Sequence, residues 1–271
     1  MSSARAENVL LLAGKFLSVS MMVLGFVFLL GPIAIVVISS FTPASYLTFP
    51  PTGFSLRWYY EVWSFSWFAK ALLSSFVISV TATSISAVIG ILVARALARG
   101  TFRAKAVVEL VVLTPLLLPI VVLGFGLFNV LVMLAWEGNN FVNLIAGHVM
   151  ITVPFVVRSV WSAMAGTDIS LEEASLGLGA TPYQTFKNVV LPMARPGIIS
   201  GGILAFTMSF NDVSLSIFLT GPKATTLPVQ MMAHIEYSSD PTPAAISTLM
   251  LAITLIIFLI TSRTVGLKIF A

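Results

Sequence analysis

Six long apolar runs constrain this chain more than any other feature. They cover residues 16–40, 68–94, 106–134, 141–163, 197–219 and 244–262, and each is nearly free of charge. A helix rises about 1.5 Å per residue, so about 20 apolar residues cross a hydrocarbon core of about 30 Å. Backbone groups find no water there, which leaves helices and closed barrels as the only spanning structures. Barrel strands are about 10 residues long and alternate apolar with polar residues; these runs do neither. Charged residues make up 9% of the 271, against about 25% in soluble domains, too few to cover a surface facing water. The expected fold is all-α and integral to the membrane, one transmembrane domain over 1–271 with six spans.

Arg5 and Lys15 precede a first run far longer than the roughly 7–15 residue core of a signal peptide. It is expected to stay as an uncleaved span. Basic residues then orient the chain. Arg5, Lys15, Arg95, Arg99, Arg103, Lys105, Lys187, Arg195, Arg263 and Lys268 fall on one side. Arg57, Lys70 and Lys223 fall on the other. The excess predicts that both termini and the 164–196 connection are cytoplasmic. The cluster at 94–105 reads as a topology signal at lipid headgroups, not a nucleic-acid patch, so membrane lipid is an expected partner and nucleic acid is not. Arg158 lies near the cytoplasmic end of its run and is expected to snorkel. On the outer side, 41–67 and 220–243 are rich in proline. The first also carries Trp58, Tyr59, Tyr60, Trp63 and Trp67, which read as an interfacial belt or as a docking surface.

Much chemistry is missing. No glycine-rich phosphate loop ending in Lys-Ser/Thr appears, and no His-Glu-x-x-His or similar ligand cluster. The chain has no cysteine, which excludes disulfides and thiolate metal sites. His148 and His234 are distant in sequence, and His148 reads as a packing residue rather than a proton relay. No catalytic residue, metal or cofactor is expected.

The polar interruption at 168–196 stands out against the apolar background. Ser170-Leu-Glu172-Glu173 has capping-box spacing, and Gly179 is placed to end the short helix in a left-handed conformation. Thr181-Pro182-Tyr-Gln184 repeats the pattern, with Pro182 at the first helical position. Pro192 and Pro196 are expected to stop or kink the second helix before the fifth span. Two capped helices with a glycine turn make a stiff projection, more than a mere connector needs.

Glu173-Ala174-Ser175, then Gly179-Ala180, then Val189-x-Leu191-Pro192 resembles the Glu-Ala-Ala loop of ABC importer permeases. The spacing is kept throughout; Ser175 stands for the usual Ala, and Leu178 where many members have Asp. The resemblance implies a type I importer permease subunit, with its coupling loop between helices 4 and 5. The implied partners are two cytoplasmic ATPase subunits, a second and different permease, and a periplasmic or extracellular substrate-binding protein, in a bacterial inner (plasma) membrane. Glu172, Glu173, Ala174, Gly179, Ala180 and Thr181 would form the ATPase-coupling surface.

Within that family, 39–59 and 204–232 look most like the spermidine/putrescine permeases. The second stretch is shared with permeases for ferric iron, phosphonates and other small solutes. Asn211 and Asp212 are the candidate pathway residues. An intramembrane acid either attracts a cation or bonds Ser209, Asn211 or a neighbouring helix and fixes packing. A stand-alone channel or proton-coupled carrier would line several spans with ionisable groups; Asp212, His148 and Arg158 are few for that task. A non-transporting scaffold would leave the double-helix loop without a role.

Overall fold

The computed structural model describes residues 2–134, 136 and 138–265. Lys268, counted above as cytoplasmic, lies outside the described residues, as does the side chain of Arg5. Among the described residues there are twelve α-helices and no strand. In chain order they are α1 (Ser2–Ser39), α2 (Arg57–Ser64), α3 (Phe68–Arg99), α4 (Lys105–Leu117), α5 (Ile120–Met133) and α6 (Asn140–Ala165). Then come α7 (Ser170–Gly177), α8 (Pro182–Thr185), a π-helical turn (Phe186–Val190), α9 (Leu191–Phe210), α10 (Ser216–Leu219), α11 (Leu227–Tyr237) and α12 (Thr242–Val265).

The chain divides into two compact units, residues 1–64 with 235–249 and residues 65–234 with 250–271. In the first unit, α1 is apolar along most of its length and from Gly14 buries nothing until its last residue, Ser39, which is buried, as expected of a helix solvated by lipid. The short α2 is amphipathic and turns Trp58 and Val62 inward. Trp58 Nε1 donates to the Thr42 carbonyl at 2.9 Å, and Tyr59 Oη lies 2.6 Å from Ser40 Oγ. Tyr60 and Trp63 remain exposed. The aromatic cluster is thus divided: Trp58 anchors the unit, while Tyr60 and Trp63 keep the outward position of a belt.

In the second unit, α3, α6 and α9 form the core. Helices in lipid gain no hydrophobic effect from meeting each other, so close contact relies on small residues. Helix α3 buries Ala71, Ser75, Ser79, Ala82, Ser86, Gly90 and Ala94 along one stripe. Helix α9 buries Gly197, Gly201 and Ala205 at four-residue spacing. A methyl on Gly201 would lie 2.9 Å from Val156 Cα of α6, and one on Gly90 would lie 2.5 Å from Val156 Cγ1. Leu97, Val157, Val160, Met164 and Val190 complete this cluster. A second cluster joins Ile78, Leu144, Ile151, Leu215 and Leu219.

Two expectations are corrected. The run at 106–134 is not one straight span: α4 and α5 meet at 109°. Pro119 lacks an N–H and disfavours helix in the residue before it, and Leu118 is accordingly extended. The fifth helix is also displaced from 197–219. Helical structure runs unbroken over Pro182–Phe210, so Pro192 and Pro196 do not interrupt it. The π turn is the reason. Leu191 N–H bonds back to the Phe186 carbonyl, a five-residue step, and Pro192 falls in the first turn of α9, where a missing donor costs little. Beyond Phe210 the apolar sequence continues as turns and the four-residue α10.

Candidate functional site

The loop after α6 is shaped by local hydrogen bonds. Asp168 Oδ1 accepts the Ser170 N–H at 3.0 Å. The capping box expected at Ser170–Glu173 does not form: Ser170 is already helical and no side chain caps from the first position, because Asp168 has taken up the orphan donor. The Ser170 N–H, followed by its hydroxyl, holds the Asp168 carboxyl below the usual carboxylate range. At the other end, Gly179 N–H donates to Leu176 O at 3.0 Å and Ala180 N–H to Ser175 O at 3.2 Å. This is a Schellman motif, and Gly179 takes its left-handed position at φ 88°. The second capping box does form: Gln184 N–H donates to Thr181 Oγ1 at 3.3 Å and Thr181 N–H to Gln184 Oε1 at 2.7 Å. Ser175, the departure from the family pattern, lies 3.0 Å from the buried Thr185 hydroxyl and fastens α7 to α8.

The candidate loop residues do not share one surface. Glu173, Ala174, Gly179 and Thr181 are exposed and Ala180 is half-buried. Nearby, Leu178 is 89% and Tyr183 71% exposed. The Glu173 N–H bonds the Ile169 carbonyl at 3.1 Å, but among the described residues its carboxylate makes no hydrogen bond or ion pair. Glu172, expected on the coupling surface, is instead turned inward and 8% exposed. Adjacent helical residues point about 100° apart, so one acid faces out and its neighbour faces in. Glu172 Oε1 accepts from Arg99 Nε at 2.9 Å, and Oε2 lies 3.8 Å from Arg95 Nη2. Arg99 Nη2 also donates to the Thr167 carbonyl and hydroxyl at 3.0 and 3.1 Å. The Arg95 guanidinium stacks over Phe186 at 5.0 Å.

A buried polar chain crosses the helical core. Asp212 lies beyond the end of α9 and is 6% exposed. Its carboxylate accepts from Leu215 N–H at 3.2 Å, Ser216 N–H at 2.9 Å and the Ser216 hydroxyl at 2.9 Å. The Ser216 oxygen sits 2.9 Å from His148 Nε2, and His148 Nδ1 sits 2.6 Å from Ser209 Oγ. Ser209 reaches Ser79 at 3.0 Å. Thr152 donates to the His148 carbonyl at 2.7 Å and touches Ser86 at 2.8 Å. His148 is therefore a fully satisfied interior residue, and it organises a network that sequence reasoning did not connect. Its partners lie 61 and 68 residues away, beyond any local pattern. Asn211 is exposed, and its Nδ2 donates to the Thr207 carbonyl at 2.9 Å. Arg158 is exposed on α6 and lines two cavities. One, of about 510 Å³, also has Ser159, Trp161, Ser162 and Ser200; the other, of about 430 Å³, has Glu109 and leucines of α4. Among the described residues no cluster of three or more His, Cys, Asp or Glu could hold a metal.

Comparison with known proteins gives the family. Residues 86–267 match the family of binding-protein-dependent transport system inner membrane components. The putrescine transport system permease protein PotI of Escherichia coli K12 is 34% identical over 236 residues, covering 85% of this chain and 84% of PotI. The spermidine/putrescine transport system permease protein PotC of the same organism is 30% identical over 243 residues, covering 90% and 91%. A bacterial ABC transporter that imports the acidic polysaccharide alginate superposes with a TM-score of 0.74 at 16% identity, covering 98% of each chain; that likeness concerns the fold. The chain belongs to the binding-protein-dependent transport system inner membrane component family. It is a multi-pass inner-membrane protein and the permease subunit of an ABC importer.

Proposed function

We propose that this permease imports polyamines, of the putrescine and spermidine type, driven by ATP hydrolysis in separate subunits. The cargo assignment is supported by PotI and PotC, which match across most of the chain. The working unit pairs this chain with a different second permease, two cytoplasmic ATPases and an extracytoplasmic substrate-binding protein. Both termini face the cytoplasm, in keeping with the excess of Lys and Arg on that side.

The observation that carries the coupling role is the outward face of the 168–190 loop. Glu173 is exposed, its carboxylate unpartnered among the described residues, beside exposed Leu178 and Tyr183, on a backbone already rigid through its Schellman turn and capping box. Exposed apolar side chains beside an exposed carboxylate support a protein contact here. Glu173, Ala174, Gly179, Ala180 and Thr181 form that contact with an ATPase. Glu172 supports it from behind. Near the other end of the fifth helix, Asn211 faces the pathway and Asp212 shapes the turn that presents it. Both Asp212 oxygens already accept hydrogen bonds, which favours the packing role over a free cation site.

Two experiments test this reading. Uptake of labelled putrescine by proteoliposomes holding the whole transporter should require ATP and the binding protein; transport of molybdate or phosphonate but no polyamine would overturn the cargo. Glu173→Lys should release the ATPase during purification. Retention of a fully coupled complex would remove the proposed contact.

A further inference from the structure

Helix α3 is tied near both ends to segments outside the helical core. Near its last turn, Arg99 is bound to Glu172 of α7 and to Thr167, and Arg95 meets both Glu172 and the Phe186 ring of the π turn. The turn at Thr167, α7 and the π turn thus close around two arginines, one helical turn apart. Near its first turns, the Ser75 hydroxyl accepts the Leu227 N–H at 2.7 Å. Ser79 joins Ser209 and, through His148 and Ser216, the Asp212 turn. The helix runs unbroken from Ser75 to Arg99, about 36 Å of stiff rod.

We propose that the Glu172–Arg99 pair is the joint through which the coupling loop drives α3, and that α3 carries this motion to the 211–227 segment at its opposite end. Glu172 is a positioning residue: it touches neither cargo nor ATPase. The geometry favours a joint over a surface ornament. The Glu172 side chain is 10% exposed and that of Arg99 18%, so water screens the pair far less than a surface ion pair. Arg99 makes three hydrogen bonds across two elements, which fixes direction as well as distance. The backbone at Thr167 and the side chain at Glu172 belong to opposite ends of the turn entering α7, so a shift of α7 pulls on Arg99 from both. Neighbouring Glu173 faces outward, so one turn of helix presents one acid to each partner. This inference rests on the loop being the ATPase-docking element.

The test uses the complete transporter in proteoliposomes, with Glu172→Gln, Arg99→Gln and the exchange Glu172→Arg with Arg99→Glu. Three quantities are read: ATPase retained on purification, ATP hydrolysed, and cargo moved per ATP. Each single variant should keep its ATPase and hydrolyse ATP, yet move about tenfold less cargo per ATP, within the usual span of coupling between sites. The exchange should recover most of that loss, which a variant that merely unfolds would not do. Unchanged cargo per ATP in both single variants, or no recovery on exchange, overturns the joint. Loss of the ATPase from Glu172→Gln overturns it too, because Glu172 would then be a docking residue. Should Glu173→Lys keep a coupled ATPase while the Glu172 series behaves as expected, the contact at Glu173 fails and the link from loop to α3 stands.

Discussion

Replacing Gly197 by alanine tests how closely α6 and α9 meet. A methyl there would lie 2.6 Å from the Ser159 carbonyl oxygen, 2.8 Å from Val160 Cα and 2.8 Å from Ala163 Cβ. Non-bonded carbons rest at about 3.5–4.0 Å, so the helices must part by about 1 Å. No rotamer relieves the clash, because the obstacles are backbone atoms and a Cβ. Parting by that much forfeits about a quarter to a half of the attraction at each contact along the seam. Overpacking of this kind costs about 1–3 kcal/mol. Against it stands the helix propensity of alanine over glycine, about 1 kcal/mol. Gly126 supplies the control: it lies inside α5 with nothing within 4 Å of its added methyl. Gly126→Ala gains the same propensity without the clash. The difference between the two variants cancels propensity and leaves about 1–3 kcal/mol, with Gly197→Ala the less stable. Reversible unfolding in mixed detergent micelles, followed by helical circular dichroism, measures it. Equal stability of the two variants would refute a close α6–α9 contact at this level.

Other consequences can be measured directly. Asp212→Ala strips the partner from two buried N–H groups and the Ser216 hydroxyl; such orphaned groups cost about 1–3 kcal/mol each. Unfolding should show the loss, and Asp212→Asn, which keeps an acceptor oxygen, should restore part of it; equal losses would rule out a capping role. The Asp168 carboxyl is depressed by Ser170, so its contribution is complete above the unfolded carboxylate value of about 3.9. That contribution disappears as pH falls through the lowered folded value. Protection of the Ser170 amide, corrected for intrinsic exchange, should stay level from pH 7 to about 4 and disappear in Asp168→Ala; a decline already at pH 6 would exclude this carboxylate as the cause.

The sequence made the straight spans legible because apolar length alone decides them. The runs at 68–94, 141–163 and 244–262 lie within α3, α6 and α12. Apolarity cannot tell a helix from an apolar turn, however. For that reason the fifth apolar run, 197–219, extends past the end of α9 at Phe210, and a run of suitable length conceals the bend before Pro119. In the loop, Gly179 and the Thr181–Gln184 box were readable because their bonds are local. Glu172 was not, since its partners stand 73 and 77 positions back, on α3. The same distance hides the network of His148, whose single position shows polarity but not the two hydroxyls, on α9 and α10, that converge on its ring.

The bend between α4 and α5 has a consequence for the life of the subunit before assembly. Each arm, 13 and 14 residues long, reaches about 20 Å, too short to cross a bilayer alone. Two helix ends therefore open at Leu118 and Pro119, where the proline offers no donor to the carbonyls before it. Acyl chains do not tolerate open helix ends. A solitary copy thus carries a patch that lipid cannot solvate, one that another protein surface or a water-filled passage must cover. The kink therefore presents, within one subunit, backbone that acyl chains leave without partners.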